Sequence, residues 1–288
     1  MGLKVYINGK LYDKDEARIS VFDHGLLYGD GVFEGIRAYN GKIFRCREHV
    51  ERLFSSAQAI ALQMPISPDE LTHAMYDTMA ANGLKDAYLR VLVTRGIGDL
   101  GLDPRKCSGT QMIIITDSIA LYPPELYEKG LEVVTVPTVR NLPHAVDPRI
   151  KSLNYLSNVL AKIEAAQAGV EEAIMLNPHG LVAECTGDNI FIVKDARLLT
   201  PPVHAGILAG ITRGVVMELA EATGIEAVEK DMTRFDLYTA DECFLSGTAA
   251  ELIAVVKIDS RTIGDGKPGP MTLKLLALFR DKTTNNAG

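Results

Sequence analysis

Cysteine is scarce and scattered: Cys46, Cys107, Cys185 and Cys243 stand far apart and form no CxxC pair. The sequence therefore offers neither a disulfide framework nor a zinc site, and it fits reduced thiols. The six histidines fall in no HExxH or comparable pair, so hydrolytic metal chemistry lacks ligands and no metal is expected. No GxxxxGK[ST] and no GxSxG occurs, which removes a P-loop nucleotide site and a serine nucleophile elbow. Basic tracts are missing and the formal charge is −7; a net-acidic surface attracts neither nucleic acid nor an anionic membrane. No apolar run is long enough to span a bilayer, and the opening MGLKVYINGK has no apolar signal core. Tyr6 stands where a myristoylation signal needs Ser or Thr. These absences describe a cytoplasmic protein whose partners are small molecules.

What is present is ample apolar material. The 288 residues are 47% hydrophobic, enough for cores in about two domains. Alternating runs flank Asn8-Gly9 in VYINGKLY and Asn40-Gly41 in GVFEGIRAYNGKIFRC, both hairpin signals. Helical spacing follows at Glu48 to Leu62 and Pro68 to Asn82, then strands in DAYLRVLVTR and CSGTQMIIITDS. Residues 1–117 read as a small N-terminal α+β domain. The stretch 118–130, SIALYPPELYEKG, carries Pro123-Pro124 and reads as an interdomain loop. Residues 131–288 form a larger C-terminal domain: a strand LEVVTVPTV, a helix with Leu153, Leu156, Leu160 and Ile163 at helical spacing, a hairpin around Pro178-His179-Gly180, a strand NIFIV, a helix near Gly210, and strands around ECFLS and ELIAVVKI. The fold class is α+β with two domains. A last helix, MTLKLLALFRD, ends in a polar TTNNAG tail expected to fray.

One glycine pattern misleads. Gly96, Gly98 and Gly101 match GxGxxG after a strand, but a dinucleotide fingerprint must open a helix, and Leu102-Asp103-Pro104 leads into a loop.

Several residues carry more chemistry than their neighbours. Lys151 stands after a run broken by Pro143 and Pro148 and just ahead of a helix. Most lysines are solvated surface charges, whereas a buried amine kept partly neutral attacks carbonyls. Gly206 and Gly210 precede a helix, so the N–H groups of Ile211 and Thr212 and the Thr212 hydroxyl form a candidate anion cup; simple capping is the plainer use of such a start. In ECFLSGTAAE a strand runs into Ser246-Gly247-Thr248-Ala249, small enough for a ligand to approach the backbone. Glu184 lies among apolar residues of GLVAECTGDNIFIV; a buried carboxylate needs an arginine or a protonated ligand nitrogen. Arg52 fits a solvated helix charge or a phosphate ligand. Period two in AYLRVLVTR puts Tyr88 and Arg90 on one face and Leu89, Val91 and Val93 on the other.

An activated lysine, phosphate-holding turns and a buried acid together match the needs of pyridoxal 5'-phosphate. The segments HGLLYGDGVFEGIRAYNG, IKSLNYLSNVLAK, AECTGDNIFIV, LAGITR and LSGTAAE resemble the motifs of fold-type IV aminotransferases, and FEGIR with AYLR resembles the branched-chain amino-acid aminotransferases. The resemblance runs in order over nearly the whole chain. It implies the two-domain architecture shared with D-amino-acid aminotransferase, with Lys151 as the Schiff-base lysine and Arg52, Ile211, Thr212 and Thr248 around the phosphate. It also implies Glu184 at the pyridine nitrogen, Tyr155 beside the ring hydroxyl, and Tyr28, Phe33, Tyr88 and Arg90 in the substrate pocket. The backbone at Thr248-Ala249 would meet the α-carboxylate. The implied reaction is transamination of leucine, isoleucine and valine with 2-oxoglutarate, in a homodimer or larger homo-oligomer whose Gly98 to Pro104 loop helps close a neighbouring site. Two departures bear on substrate: the short Lys-Ser-Leu-Asn-Tyr spacing, also seen in D-amino-acid aminotransferases, and an interdomain tyrosine for which Tyr122 is the nearest candidate. The alternatives are a D-amino-acid aminotransferase, an aminodeoxychorismate lyase-type enzyme, or a small-ligand binder without catalysis, which would not need Lys151 and Glu184 together.

Overall fold

The computed structural model describes residues 2–119 and 121–285. They separate into two compact units: the described residues of 1–119, 150–154 and 283–288, and those of 120–149 and 155–282.

The first unit contains β1 (Lys4–Ile7), β2 (Lys10–Asp13), α1 (His24–Tyr28), β3 (Gly31–Tyr39), β4 (Lys42–Ile43), α2 (Cys46–Ala59), α3 (Pro68–Ala81), β5 (Ala87–Thr94) and β6 (Gln111–Asp117). The six strands form one sheet in the order β2-β1-β6-β5-β3-β4, every pair antiparallel. Both hairpins turn on the asparagine-glycine pairs. Asn8 and Gly9 have φ of 47° and 88°, and Asn40 and Gly41 have 51° and 81°, the two positive values that a type I′ turn requires. Ser67 caps α3 through a reciprocal box with Glu70, and Pro68 occupies its first turn. One face of the sheet is covered by α2 and α3, where Leu53, Ala57, Leu71 and Met75 pack with Ile36, Leu89, Val91 and Ile114. The alternation of β5 is therefore resolved physically: Leu89, Val91 and Val93 face the helices fully buried, while Tyr88 and Arg90 are half-buried on the other face.

The segment 150–154 returns to this unit as a short strand-like strap on β3. The Phe33 amide donates to the Lys151 carbonyl at 2.9 Å, the Leu153 amide donates to the Gly31 carbonyl at 2.9 Å, and Ser152 bridges Val32. Gly31 permits this approach, since a Cβ there would lie 2.7 Å from Leu153 Cδ1.

The second unit contains α4 (Pro124–Lys129), β7 (Leu131–Val136), α5 (Leu156–Gln167), β8 (Glu172–Leu176), β9 (Val182–Cys185), β10 (Asn189–Lys194), β11 (Arg197–Thr200), α6 (Ile211–Ala222), β12 (Ala227–Glu229), α7 (Arg234–Tyr238), β13 (Glu242–Gly247), β14 (Glu251–Ile258), β15 (Arg261–Thr262) and, up to Lys282, α8 (Pro270–Asn285). Its nine-stranded mixed sheet runs β12-β11-β10-β13-β14-β7-β8-β9, with β15 on β14. At its centre Phe191 of β10 stacks on Phe244 of β13, with centroids 5.0 Å apart.

Four details differ from the sequence reading. The stretch 118–130 is not all loop, since α4 forms within it. The helix after Lys151 begins at Leu156, because Leu153 is engaged on β3, and its buried residues are Asn158, Ala161 and Ala165. Leu156, Val159, Leu160 and Ile163 instead face outward, with Leu156 69% exposed. The terminal helix continues to Asn285 instead of fraying after Asp281; the last three residues of the TTNNAG tail lie outside the described residues.

Candidate active site

The β3 strap fixes Lys151. Its backbone is tied to Phe33 and its amide donates to Ser56 Oγ at 3.2 Å. Its Nζ stands 4.5 Å from the centroid of the Phe33 ring, where the ring's negative face attracts a cation. The register of β3 against β5 places Gly35 opposite Arg90 and Arg37 opposite Tyr88, so Phe33, Tyr88 and Arg90 share the face turned away from α2 and α3. Arg90 lies with Cζ 4.7 Å from the Phe33 centroid, and its Nη2 donates to the Tyr88 hydroxyl at 3.1 Å. Gly35 makes room: a Cβ there would fall on the Tyr88 hydroxyl. Tyr28, at the end of α1, donates from its hydroxyl to the Leu100 carbonyl at 2.5 Å. That contact joins α1 to the Gly98 to Pro104 loop, as does His24, whose Nε2 is 2.9 Å from the Asp99 carbonyl. Lys151, Phe33, Tyr88 and Arg90 are thus brought together, with Tyr28 at the loop.

Directly behind Phe33, Glu34 points to the helix face and is fully buried. Arg52 of α2 grips it at two points, Nε to Oε1 at 2.7 Å and Nη2 to Oε2 at 2.9 Å, and His49 Nδ1 is 2.8 Å from Oε2. Burial pushes the Glu34 carboxyl up, but Arg52 and His49 outweigh it and hold the group at about 2. Burial pushes the His49 imidazole down, with the positive charges of Arg52 and Lys151 adding to it against the pull of Glu34. A neutral His49 therefore donates to a charged Glu34, and Arg52 is held in one orientation.

In the second unit, Glu184 of β9 is 5% exposed and fully engaged. Oε1 meets Arg140 Nη2 at 2.7 Å; Oε2 accepts from Asn189 Nδ2 at 2.9 Å and from the Leu208 amide at 3.0 Å. Of the two partners the sequence left open for this carboxylate, an arginine is present. Arg140 is itself braced by Asn158 Oδ1 at 3.1 Å and the Gly206 carbonyl at 3.2 Å. Neither Arg140 nor Asn189 was identified from sequence. The buried acid signalled that a partner exists, but nothing local said which basic residue it was.

The start of α6 adjoins this carboxylate through the Leu208 amide, and a second turn follows β13, whose Ser246 pairs with Asn189. Gly210 is the N-cap of α6 and supplies no side-chain cap, so the first-turn amides of Ile211 and Thr212 point out of the helix start as anion donors. Thr212 is buried. The other turn spans 248–250 between β13 and β14 and carries Thr248 and Ala249. Just before it, Ser246 Oγ is buried with no hydrogen-bond partner, an unmet polar atom of the sort a ligand site leaves behind. Tyr155 is the N-cap residue of α5 and half-buried. Tyr122 belongs elsewhere: it is 5% exposed in the core of this unit, edge-on to Tyr127 at 6.4 Å. The Gly96 to Gly101 pattern lies in a loop followed by a single 3₁₀ turn at Pro104–Lys106, and no metal-binding cluster occurs among the described residues.

Comparison with known proteins identifies the family. Residues 31–258 match the family model described as amino-transferase class IV. A Methanocaldococcus jannaschii protein is 52% identical over 283 residues, covering 98% of this chain and 97% of its own. The crystal structure of Escherichia coli branched-chain amino acid aminotransferase superposes with a TM-score of 0.96 at 36% identity, covering 99% of this chain and 96% of the other. That of the T.th. branched-chain amino acid aminotransferase, complexed with N-(5'-phosphopyridoxyl)-L-glutamate, superposes with a TM-score of 0.93 at 36% identity, covering 99% and 95%. The chain belongs to the class IV aminotransferase family.

Proposed function

We propose that this chain is a pyridoxal 5'-phosphate-dependent transaminase of branched-chain L-amino acids, passing the amino group of leucine, isoleucine or valine to 2-oxoglutarate. The observation that carries the reading is its full-length likeness to branched-chain enzymes. The residues fit the cofactor. Arg52 is preset by Glu34, the α6 start has no side-chain cap, Ser246 Oγ is an unmet buried atom, and Glu184 is a buried acid.

Bound pyridoxal phosphate supplies a carbonyl that exchanges with an amine and a ring that takes up the electron pair released at Cα. Lys151 would anchor the cofactor, and its amine, when free, would take up and return the proton released at the substrate Cα. Glu184 keeps a proton on the ring nitrogen through a charge-assisted hydrogen bond, and Tyr155 orients the ring hydroxyl. Arg52, the Ile211 and Thr212 amides and Thr248 bind the phosphate. Phe33 meets the branched side chain, Tyr28, Tyr88 and Arg90 line the polar edges, and the backbone at Thr248-Ala249 receives the α-carboxylate.

The working unit in this reading is a homodimer or a larger homo-oligomer. Support comes from outward aliphatic groups on α5 and from Leu100 and Leu102, 70% and 77% exposed, which are costly to leave in water. Free thiols at all four cysteines suit a cytoplasmic setting. An amino-donor panel scored with 2-oxoglutarate tests the activity. L-leucine, L-isoleucine and L-valine should turn over; turnover of D-alanine without L-leucine would replace this substrate assignment.

A further inference from the structure

Asn189 opens β10 and is 5% exposed. Its amide nitrogen donates twice, to Glu184 Oε2 at 2.9 Å and to the Leu208 carbonyl at 3.0 Å. The Leu208 amide in turn donates to the same Glu184 oxygen at 3.0 Å, so carboxylate, side-chain amide and peptide close a small ring of hydrogen bonds. The other end of the Asn189 amide, Oδ1, fills the space beside the Gly210 Cα, where a Cβ would have to sit. Gly210 has φ −67° and ψ 134°, a conformation open to any residue. Glycine is therefore needed there for space and not for backbone freedom. One buried side chain accordingly touches both the acid and the N-cap of the helix that offers the anion cup.

We infer that Asn189 is a positioning residue that sets the distance between Glu184 and the N-terminus of α6, and so registers the ring-nitrogen end of the cofactor against its phosphate end. The inference rests on the proposed cofactor reading. Its physical basis is that a planar amide with both ends occupied has no second orientation available. Turning it would present Oδ1 to the carboxylate and lose both donations, leaving a buried repulsion. A shift of the α6 start therefore moves the amide, and the amide moves Glu184. Preorganisation of this kind governs how well fixed groups serve a rigid ligand.

The test uses Gly210→Ala, whose methyl would lie 2.0 Å from Asn189 Oδ1, with Arg213 Cβ the nearest atom of another residue at 3.3 Å. Three measurements are made on wild type, Gly210→Ala, Asn189→Ser and the double variant: inorganic phosphate affinity of enzyme resolved of cofactor, pyridoxal phosphate affinity, and the ¹⁵N signal of ring-labelled bound cofactor. Gly210→Ala should weaken phosphate about tenfold, as loss of one charge-assisted contact does. It should also move the ring-nitrogen signal toward the neutral form. In the Asn189→Ser background the same methyl should leave that signal where Asn189→Ser alone puts it, because the link is already cut. An unchanged ring signal in Gly210→Ala, or equal shifts in both backgrounds, overturns the inference. If wild type binds no pyridoxal phosphate, the cofactor reading itself fails, and that outcome is separate.

Discussion

Arg52 and Glu34 form a two-point ion pair inside the first unit, Nε to Oε1 at 2.7 Å and Nη2 to Oε2 at 2.9 Å, with the carboxylate wholly buried. The pair spends one edge of the guanidinium on structure and fixes the direction of the rest. Removing one partner of a buried pair costs about 3 to 5 kcal/mol. Because Arg52 is 14% exposed, Glu34→Gln should fall at the lower end, about 3 kcal/mol by urea denaturation. Pyridoxal phosphate affinity should drop about tenfold or more in the same variant. Unaltered affinity would separate Glu34 from phosphate binding.

The same cluster predicts acid lability. His49 is held below its ordinary value by burial first, then by Arg52 and Lys151. As pH falls past about 6.5 the unfolded chain takes up a proton that the folded protein refuses, so stability declines. Glu34 adds a second loss: it stays charged to about 2 when folded, against 4.5 for the free side chain, so its contribution fades between those values. Denaturation curves from pH 8 to 4 should show the first decline in wild type and a shallower one in His49→Gln, which keeps a donor for Glu34. Identical slopes would remove His49 as the cause.

Replacing Lys151 tests the anchor. Lys151→Ala should fold, because the hydrogen bonds of Lys151 to β3 and Ser56 are made by its backbone, yet transamination should fall by several orders of magnitude. The bound cofactor should also lose its pH-dependent visible band. A variant that kept the band without added amine would reassign the lysine.

Sequence legibility followed the range of the interactions. The β5 alternation and the asparagine-glycine turns were readable because their causes lie within a few residues. The pairing of Glu184 with Arg140 and the bracing by Asn189 were not, since a buried acid announces a need without naming a distant partner. The surroundings of Tyr122 were not legible either, because a tyrosine near a boundary carries no mark of which way it points. The α5 stripe misled in a useful way. Apolar spacing reports burial of a face, and here the covered face holds Ala161 and Ala165 while Leu156, Val159, Leu160 and Ile163 stay outside.

That outward stripe leads to the oligomer prediction. Leu156→Glu with Leu160→Glu alters two exposed positions, so the isolated fold should keep its stability within about 0.5 kcal/mol. Sedimentation should show the wild type as a dimer or larger and the double variant shifted toward monomer, with lowered activity. A fully active wild-type monomer at assay concentration would refute the assembly.

The last prediction concerns how one pocket processes an apolar side chain and an anionic one in turn. Arg90 lies 4.7 Å from the Phe33 ring centroid and holds the Tyr88 hydroxyl at 3.1 Å, so a charge and an apolar plane stand side by side. A guanidinium can engage a carboxylate at two points where an ammonium cannot. In the proposed reading Phe33 meets the side chain of leucine and the guanidinium meets the γ-carboxylate of glutamate. Losing a charge-assisted contact costs about 1.5 to 3 kcal/mol, roughly ten- to over a hundredfold in binding. Arg90→Ala should therefore impair the glutamate and 2-oxoglutarate half-reaction by that factor while slowing the leucine half-reaction far less. Stopped-flow measurement of each half-reaction decides it: equal losses would mean that Arg90 binds the α-carboxylate common to both substrates or serves only to hold Tyr88.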